Sequence, residues 1–220
     1  MHDKLRIFQV GFNKCGTLSL YNLFQNYCTP TITSVHWNRG YLARDIHDNI
    51  LKGLPPLLGY ESYTAYFDME CFRTCNEKIS WVSIAKDYFD LLDINYPNSK
   101  FILNTRNIDN WITSRIKHMC DFSPMRYGYT ERLTSSVPYL EYHKQAYDVD
   151  SIDKLIAIWR EEWNTHHDNV ITHFTYRPND LLVFDIEKDP FSKLQDFFTQ
   201  CELYFNVDKL PHDNKTQDRY

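Results

Sequence analysis

The sequence has no apolar run approaching the ~18 residues of a membrane-spanning helix, so insertion into a membrane is not expected. It has no basic excess either. Lys and Arg total 24 against 29 Asp and Glu, a formal charge of -5. A general nucleic-acid binder carries surplus positive charge, so no nucleic-acid partner is expected, although one small basic pocket for a compact anion stays compatible. Repeats, low-complexity tracts and Gly/Ser linkers are absent, and residues 1–220 are expected to form a single domain. No secretory leader pattern opens the chain, which points to a cytoplasmic location and reduced thiols at Cys15, Cys28, Cys71, Cys75, Cys120 and Cys201. Cys71 and Cys75 lack the second pair or nearby histidine of a zinc site, so no metal is expected.

What is present is a large apolar fraction, 43% with 16% aromatic, enough to bury a sizeable core. Leu5 to Val10 reads as a strand that ends at Gly11. A helix follows from about Leu18 to Tyr27, with Leu20, Leu23 and Phe24 on one face. An irregular stretch then holds His36, Trp37, Pro55 and Pro56. Thr64 to Asp68 reads as a short strand ending in a carboxylate, and Trp81 to Leu92 as a helix by its spacing. Lys100 to Thr105 is a nearly continuous apolar run, the pattern of a strand buried on both faces. Helices are expected from Ile108 to Met119, Ser151 to His166 and Phe191 to Cys201, and a further buried strand from Leu181 to Ile186. Buried strands alternating with helices predict an α/β three-layer sandwich around a mainly parallel sheet. Ligands of such sheets sit beyond the carboxyl ends of the strands, where Gly11, Asp68 and Arg106 all fall.

Residues 11–20, GFNKCGTLSL, carry the clearest chemical signal. Gly11, four residues and Gly16 have the spacing of a phosphate-binding loop, and strand–loop–helix is the context such a loop requires. The loop of an NTP-hydrolysing enzyme continues with a Lys and a magnesium-binding Ser or Thr. Here those positions are Thr17 and Leu18, and the lysine stands early, at Lys14. Backbone N–H groups at a helix N-terminus still favour an anion. A cation ahead of the turn suits transfer of a group carrying less charge than a phosphoryl group, such as a sulfuryl group, without a metal.

Lys14-Cys15-Gly16-Thr17 after a strand resembles the phosphosulfate loop of the sulfotransferases, which use 3′-phosphoadenosine-5′-phosphosulfate (PAPS). In KFILNTRNIDNWITSR, Arg106 follows a buried strand and Ser114 comes eight residues later, similar to the family's 3′-phosphate site. YFDMECF, RPNDLLVFDI and LPHDNKT resemble further stretches of the same group, so the likeness covers most of the chain, least between Cys120 and Asp150. Leu18, where many relatives have a hydroxyl residue, and Cys15 depart from the pattern. The resemblance implies a P-loop-like sulfotransferase fold and in-line transfer from PAPS to a hydroxyl or amine, leaving 3′-phosphoadenosine-5′-phosphate (PAP), with no metal required. It implies that the loop residues Lys14, Cys15, Gly16, Thr17, Leu18 and Ser19 hold the phosphosulfate. Lys14 also neutralises the leaving oxygen, and Arg106 with Ser114 clamps the 3′-phosphate.

A hydroxyl acceptor needs a base. Asp68 is the first candidate, His36 the second, and Glu70 and His212 remain open. His212 and Asn214 read either as a surface tail or as a tail folded over the donor. Trp37, Tyr41, Tyr60 and Tyr63 are candidate acceptor-stacking rings, Trp159 and Trp163 read as core, and His166 with His167 as a solvated helix end. A P-loop kinase lacks its required residues here, and a non-catalytic nucleotide-binding module is the other alternative. The acceptor, a small molecule or a glycan, is not legible, nor is the oligomeric state.

Overall fold

The computed structural model describes residues 4–75, 78–121 and 139–211. In chain order the elements are β1 (Ile7–Gln9), α1 (Thr17–Tyr27), β2 (Cys28–Thr29), β3 (Ser34–His36), α2 (Tyr41–Leu51), β4 (Ala65–Phe67), β5 (Glu70–Cys75) and β6 (Lys78–Ser83). They continue with α3 (Ile84–Asp87), α4 (Phe89–Asn95), β7 (Lys100–Thr105), α5 (Ile108–Asp121), α6 (Tyr139–Ala146), α7 (Ile152–His173), β8 (Leu181–Asp185), α8 (Phe191–Thr199) and β9 (Tyr204–Phe205).

Five strands form one parallel sheet in the order β3-β4-β1-β7-β8. The period-two alternation of strand side chains divides the apolar residues between its two faces. Phe8, Val10, Tyr66, Phe101 and Leu103 pack with α2, α4 and α7 through Leu42, Ile46, Leu92 and Val170. Ile7, Ala65, Phe67, Ile102 and Phe184 pack with α1 and α8 through Leu20, Leu23, Phe24, Leu194 and Phe198. The fold is therefore the expected three-layer α/β sandwich. A third cluster, with Phe12, Cys15, Trp111, Trp159 and Trp163, lies where α5 and α7 meet the loop after β1.

Two expectations need correction. Trp81 is in a strand: β5 and β6 pair antiparallel, with Phe72 opposite Trp81 and Cys71 opposite Val82. The helix begins only after Ser83, whose Oγ accepts the Lys86 N–H at 3.4 Å, and it breaks at Tyr88. The apolar spacing from Trp81 onward fits a strand edge and two short helices as well as it fits one helix. His166 and His167 do not end a helix, because α7 runs on to His173 and buries Val170 on the same face. Among the described residues, no helix is long and apolar enough to cross a membrane.

Candidate active site

β1 lies at the centre of the sheet, so the loop after it is flanked by the ends of β4 and β7. Two buried amides tie these three strand ends together. Asn104, 0% exposed in β7, accepts the Gly11 N–H on Oδ1 at 3.1 Å and donates from Nδ2 to the Cys15 carbonyl at 2.8 Å. Gln9 donates to Asn104 Oδ1 at 2.7 Å and to the Gly11 carbonyl, and its Oε1 accepts the Asp68 N–H at 2.8 Å. Both ends of the loop are thus fixed from the same side chain. Sequence reasoning missed both amides. Their only signal is a polar residue inside an otherwise apolar strand, which a sheet interior tolerates when its hydrogen bonds are satisfied.

The loop itself takes two left-handed steps, Lys14 at φ 62° and Gly16 at φ 77°. A lysine in that region is strained, and such strain persists where surrounding contacts enforce it. Trp111 Nε1 donates to the Asn13 carbonyl at 3.0 Å, and Arg106 Nη1 to the Lys14 carbonyl at 3.1 Å. α1 then starts with no side-chain cap and no acidic residue in its first turn. Its first intrahelical donor is Leu20, onto Gly16, so Thr17, Leu18 and Ser19 present the N–H groups that precede the ladder. The Cys15 thiol is fully buried against the tryptophan cluster and burial pushes its pKa well up, so this residue offers the loop its backbone only.

On the β7 flank, Arg106 binds the Glu187 carboxylate through Nε and Nη2. These bonds and the one to Lys14 leave one N–H on each terminal nitrogen, the pair that grips an oxyanion bidentately. Asn110 also donates to Glu187, at 3.1 Å. Ser114 stands one helical turn beyond Asn110 on the same face of α5 and is partly exposed.

On the β4 flank, Asp68 sits at φ 54° just after the strand. His36, the last residue of β3, brings Nε2 to 3.5 Å from Asp68 Oδ2 and 3.4 Å from Thr17 Oγ1. Burial raises the Asp68 pKa, partly offset by the charges of His36, Lys14 and Arg115. Burial lowers that of His36, with Asp68 opposing. Neutral imidazole beside a basic carboxylate is an arrangement able to accept a proton. His212 and Asn214 lie outside the described residues.

Glu70 is 2% exposed, two residues beyond Asp68, and its Oε1 accepts the Asn13 N–H at 3.5 Å. Burial pushes its pKa up to about 8, against the pull of Arg115. A carboxyl that holds its proton more tightly when folded costs stability as pH rises from its ordinary 4.5 towards 8. Stability should therefore fall between about pH 4.5 and 8 and level off above, by on the order of a few kcal/mol. Urea unfolding checks this: Glu70→Gln should flatten the decline, and an equal slope in both proteins would exclude a buried, neutral Glu70.

Other sequence candidates divide. Trp159 and Trp163 are core, 0% and 6% exposed. Trp37 packs on the same cluster. Tyr60 and Tyr63 instead line a separate cavity with Asn38, Asp45 and Lys52, where the Tyr60 hydroxyl donates to Asp45 at 3.0 Å. The Tyr41 ring is covered by Arg44 at 4.1 Å. His166 and His167 are structural: His166 donates to the Val10 carbonyl at 2.6 Å, and His167 meets Thr105 Oγ1 at 3.0 Å.

Compared with known proteins, residues 6–218 match a family model described as a sulfotransferase domain. No curated protein matches the chain.

Proposed function

The chain belongs to the sulfotransferase domain family, and on that premise we propose that it moves a sulfuryl group from PAPS to a hydroxyl or amine of a small-molecule or glycan acceptor. One observation carries the reading: Arg106 donates to the Lys14 carbonyl, so the guanidinium expected at the 3′-phosphate lies against the loop that carries the lysine expected at the leaving oxygen. The residues fit the donor on their own terms. The left-handed turn at Gly16 and the uncapped start of α1 suit an anion, and Leu18 supplies no oxygen for magnesium. When bound, PAPS supplies the sulfuryl group, whose bond to the 5′-phosphate oxygen is exchanged for one to the acceptor atom, leaving PAP.

The N–H groups of Gly16, Thr17, Leu18 and Ser19 hold the phosphosulfate end, with the Thr17 and Ser19 hydroxyls beside them. Lys14 neutralises charge at the leaving oxygen. Arg106 presents its two remaining N–H groups, and Ser114 its hydroxyl, to the 3′-phosphate. Glu187 keeps the guanidinium plane in place. On the opposite flank Asp68 takes the acceptor proton, and His36, whose Nε2 is within reach of both Asp68 and the Thr17 hydroxyl, orients the carboxylate. The expected donor clamp and the expected base thus flank the loop from the β7 and β4 sides respectively.

Thermal-shift titration tests this reading. PAP should raise the melting temperature by several degrees at concentrations well above its Kd, and ATP with Mg²⁺ should give little shift. The reverse order would make the chain a kinase-like nucleotide binder. A PAP response without sulfate transfer to any acceptor would make it a non-catalytic module.

A further inference from the structure

Below the loop, α5 carries Arg115 into an aromatic cage. Its guanidinium carbon lies 4.6 Å from the Trp159 ring centre, 5.1 Å from Trp111 and 5.5 Å from Trp81. The residue is 0% exposed, yet Nε, Nη1 and Nη2 all lack a hydrogen-bond partner among the described residues. None of the ion pairs among the described residues includes it. Buried polar atoms near it that also lack a partner among the described residues include Glu70 Oε2, Asn13 Oδ1 and Trp159 Nε1.

Burying a guanidinium without an acceptor is among the most unfavourable arrangements in a protein. The three indole faces offset part of that cost. The N–H donors of the fork stay unused, and they match a planar, bidentate anion. The cage also touches the transfer site. Trp111 holds the Asn13 carbonyl, Glu70 meets the Asn13 N–H, and the charge of Arg115 acts on both Glu70 and Asp68.

We propose that Arg115 anchors the acceptor: it binds the carboxylate of a hydroxylated carboxylic acid, whose hydroxyl is the group sulfated. The inference rests on the sulfotransferase reading for the fate of that hydroxyl, but the carboxylate site stands on the cage alone. A dianion fits less well. Glu70 is itself buried and feels the Arg115 charge, and a single guanidinium balances a single charge. Kept protonated by burial, Glu70 adds a donor rather than a second negative charge. The hydroxyl of the bound acid is then directed to the β4 flank, where its proton passes to Asp68 as its oxygen bonds to sulfur.

The test uses the full chain, with and without saturating PAP. The probes are 4-hydroxyphenylacetate, its methyl ester and inorganic phosphate, read by tryptophan fluorescence and by melting temperature. The wild-type protein should bind the acid at least tenfold more tightly than the ester, with phosphate weaker still. Arg115→Met should abolish the difference while keeping the PAP response. Because it removes an unpaired buried charge, that variant should melt no lower than wild type when the acid is absent. Arg115→Lys keeps the charge but not the fork, so it should retain part of the preference, about three- to tenfold weaker in acid affinity. Equal binding of acid and ester, no binding of either by wild type, or a preference that survives in Arg115→Met would each overturn the proposal. A missing PAP response would sink the donor reading instead, and the titrations without PAP would still decide the carboxylate site.

Discussion

Replacing Lys14 by alanine is expected to lower turnover by about 10² to 10³, the usual loss when one preorganised donor to a developing charge is removed. The effect should fall on kcat. The Lys14 backbone is held by the Arg106 guanidinium on its carbonyl and by its neighbours: Asn13 through Trp111, Cys15 through Asn104. None of these bonds uses the lysine side chain. The left-handed φ of 62° strains alanine about as much as lysine, so the backbone contribution cancels. Affinity for PAP should change less than tenfold and the melting temperature by only a degree or two. Lys14→Arg, which keeps the charge with a different reach, should recover part of the rate. A second readout follows from electrostatics. The positive charge of Lys14 helps lower the Asp68 pKa, so its loss raises that pKa and moves the acid limb of kcat/KM to higher pH. Turnover within tenfold of wild type, with an unmoved acid limb, would remove Lys14 from the leaving oxygen.

The sheet was legible where strands are long and apolar. Lys100 to Thr105 is a strand with those bounds, and Leu181 to Ile186 is in error by one residue. Its neighbours were harder. β3 is only three residues, Ser34–His36, and its assignment depends on pairing with β4, a long-range contact that no local pattern records. The segment up to Pro56 therefore read as irregular although it also contains α2. The β5–β6 hairpin was lost for a related reason. Trp81, Ile84, Ala85 and Tyr88 keep helical spacing across a strand-to-helix junction, and periodicity alone cannot locate the junction.

The site divides in the same way. That Lys14, Gly16 and Arg106 come together at one loop was legible because each follows a strand at a fixed local spacing. Gln9, Asn104 and Trp111 were not found, because each acts on a backbone group of the loop from 2 to 98 residues away. A single buried polar residue in a strand says that a partner exists without saying which. Arg115 is the extreme case, adjacent in sequence to Ser114 and read over because a charged residue on an amphipathic helix usually faces water. Only the fold shows it enclosed by indoles from β6, α5 and α7.

Gly11→Ala should be the most damaging single change in the loop. A Cβ at Gly11 would lie closer than 3.0 Å to the Asn104 carbonyl oxygen, side-chain Oδ1 and Cγ. The carbonyl cannot give way, since Asn104 sits in β7 opposite Phe184 of β8. The side chain can swing aside only by breaking its bonds to Gly11, Gln9 and Cys15. Relief by moving the end of β1 costs about 1–3 kcal/mol for overpacking, and each broken bond about 0.5–1.5 kcal/mol more. The total, roughly 2.5–7.5 kcal/mol, is a large part of the 5–15 kcal/mol that holds a typical domain folded. At about 2–4 °C per kcal/mol for a chain of this size, melting should drop by roughly 10 °C or more, and PAP should no longer stabilise the protein. Gly16→Ala provides the contrast. Its Cβ would meet Ile186 at an ordinary 3.4 Å, so only the strain of φ 77° is added, about 1–2 kcal/mol. Removing the Asn104 side chain as well should not rescue Gly11→Ala, because the clash with the main-chain carbonyl remains. If Gly11→Ala melts within about 3 °C of wild type and still binds PAP, β1 and β7 do not approach as closely as this loop requires.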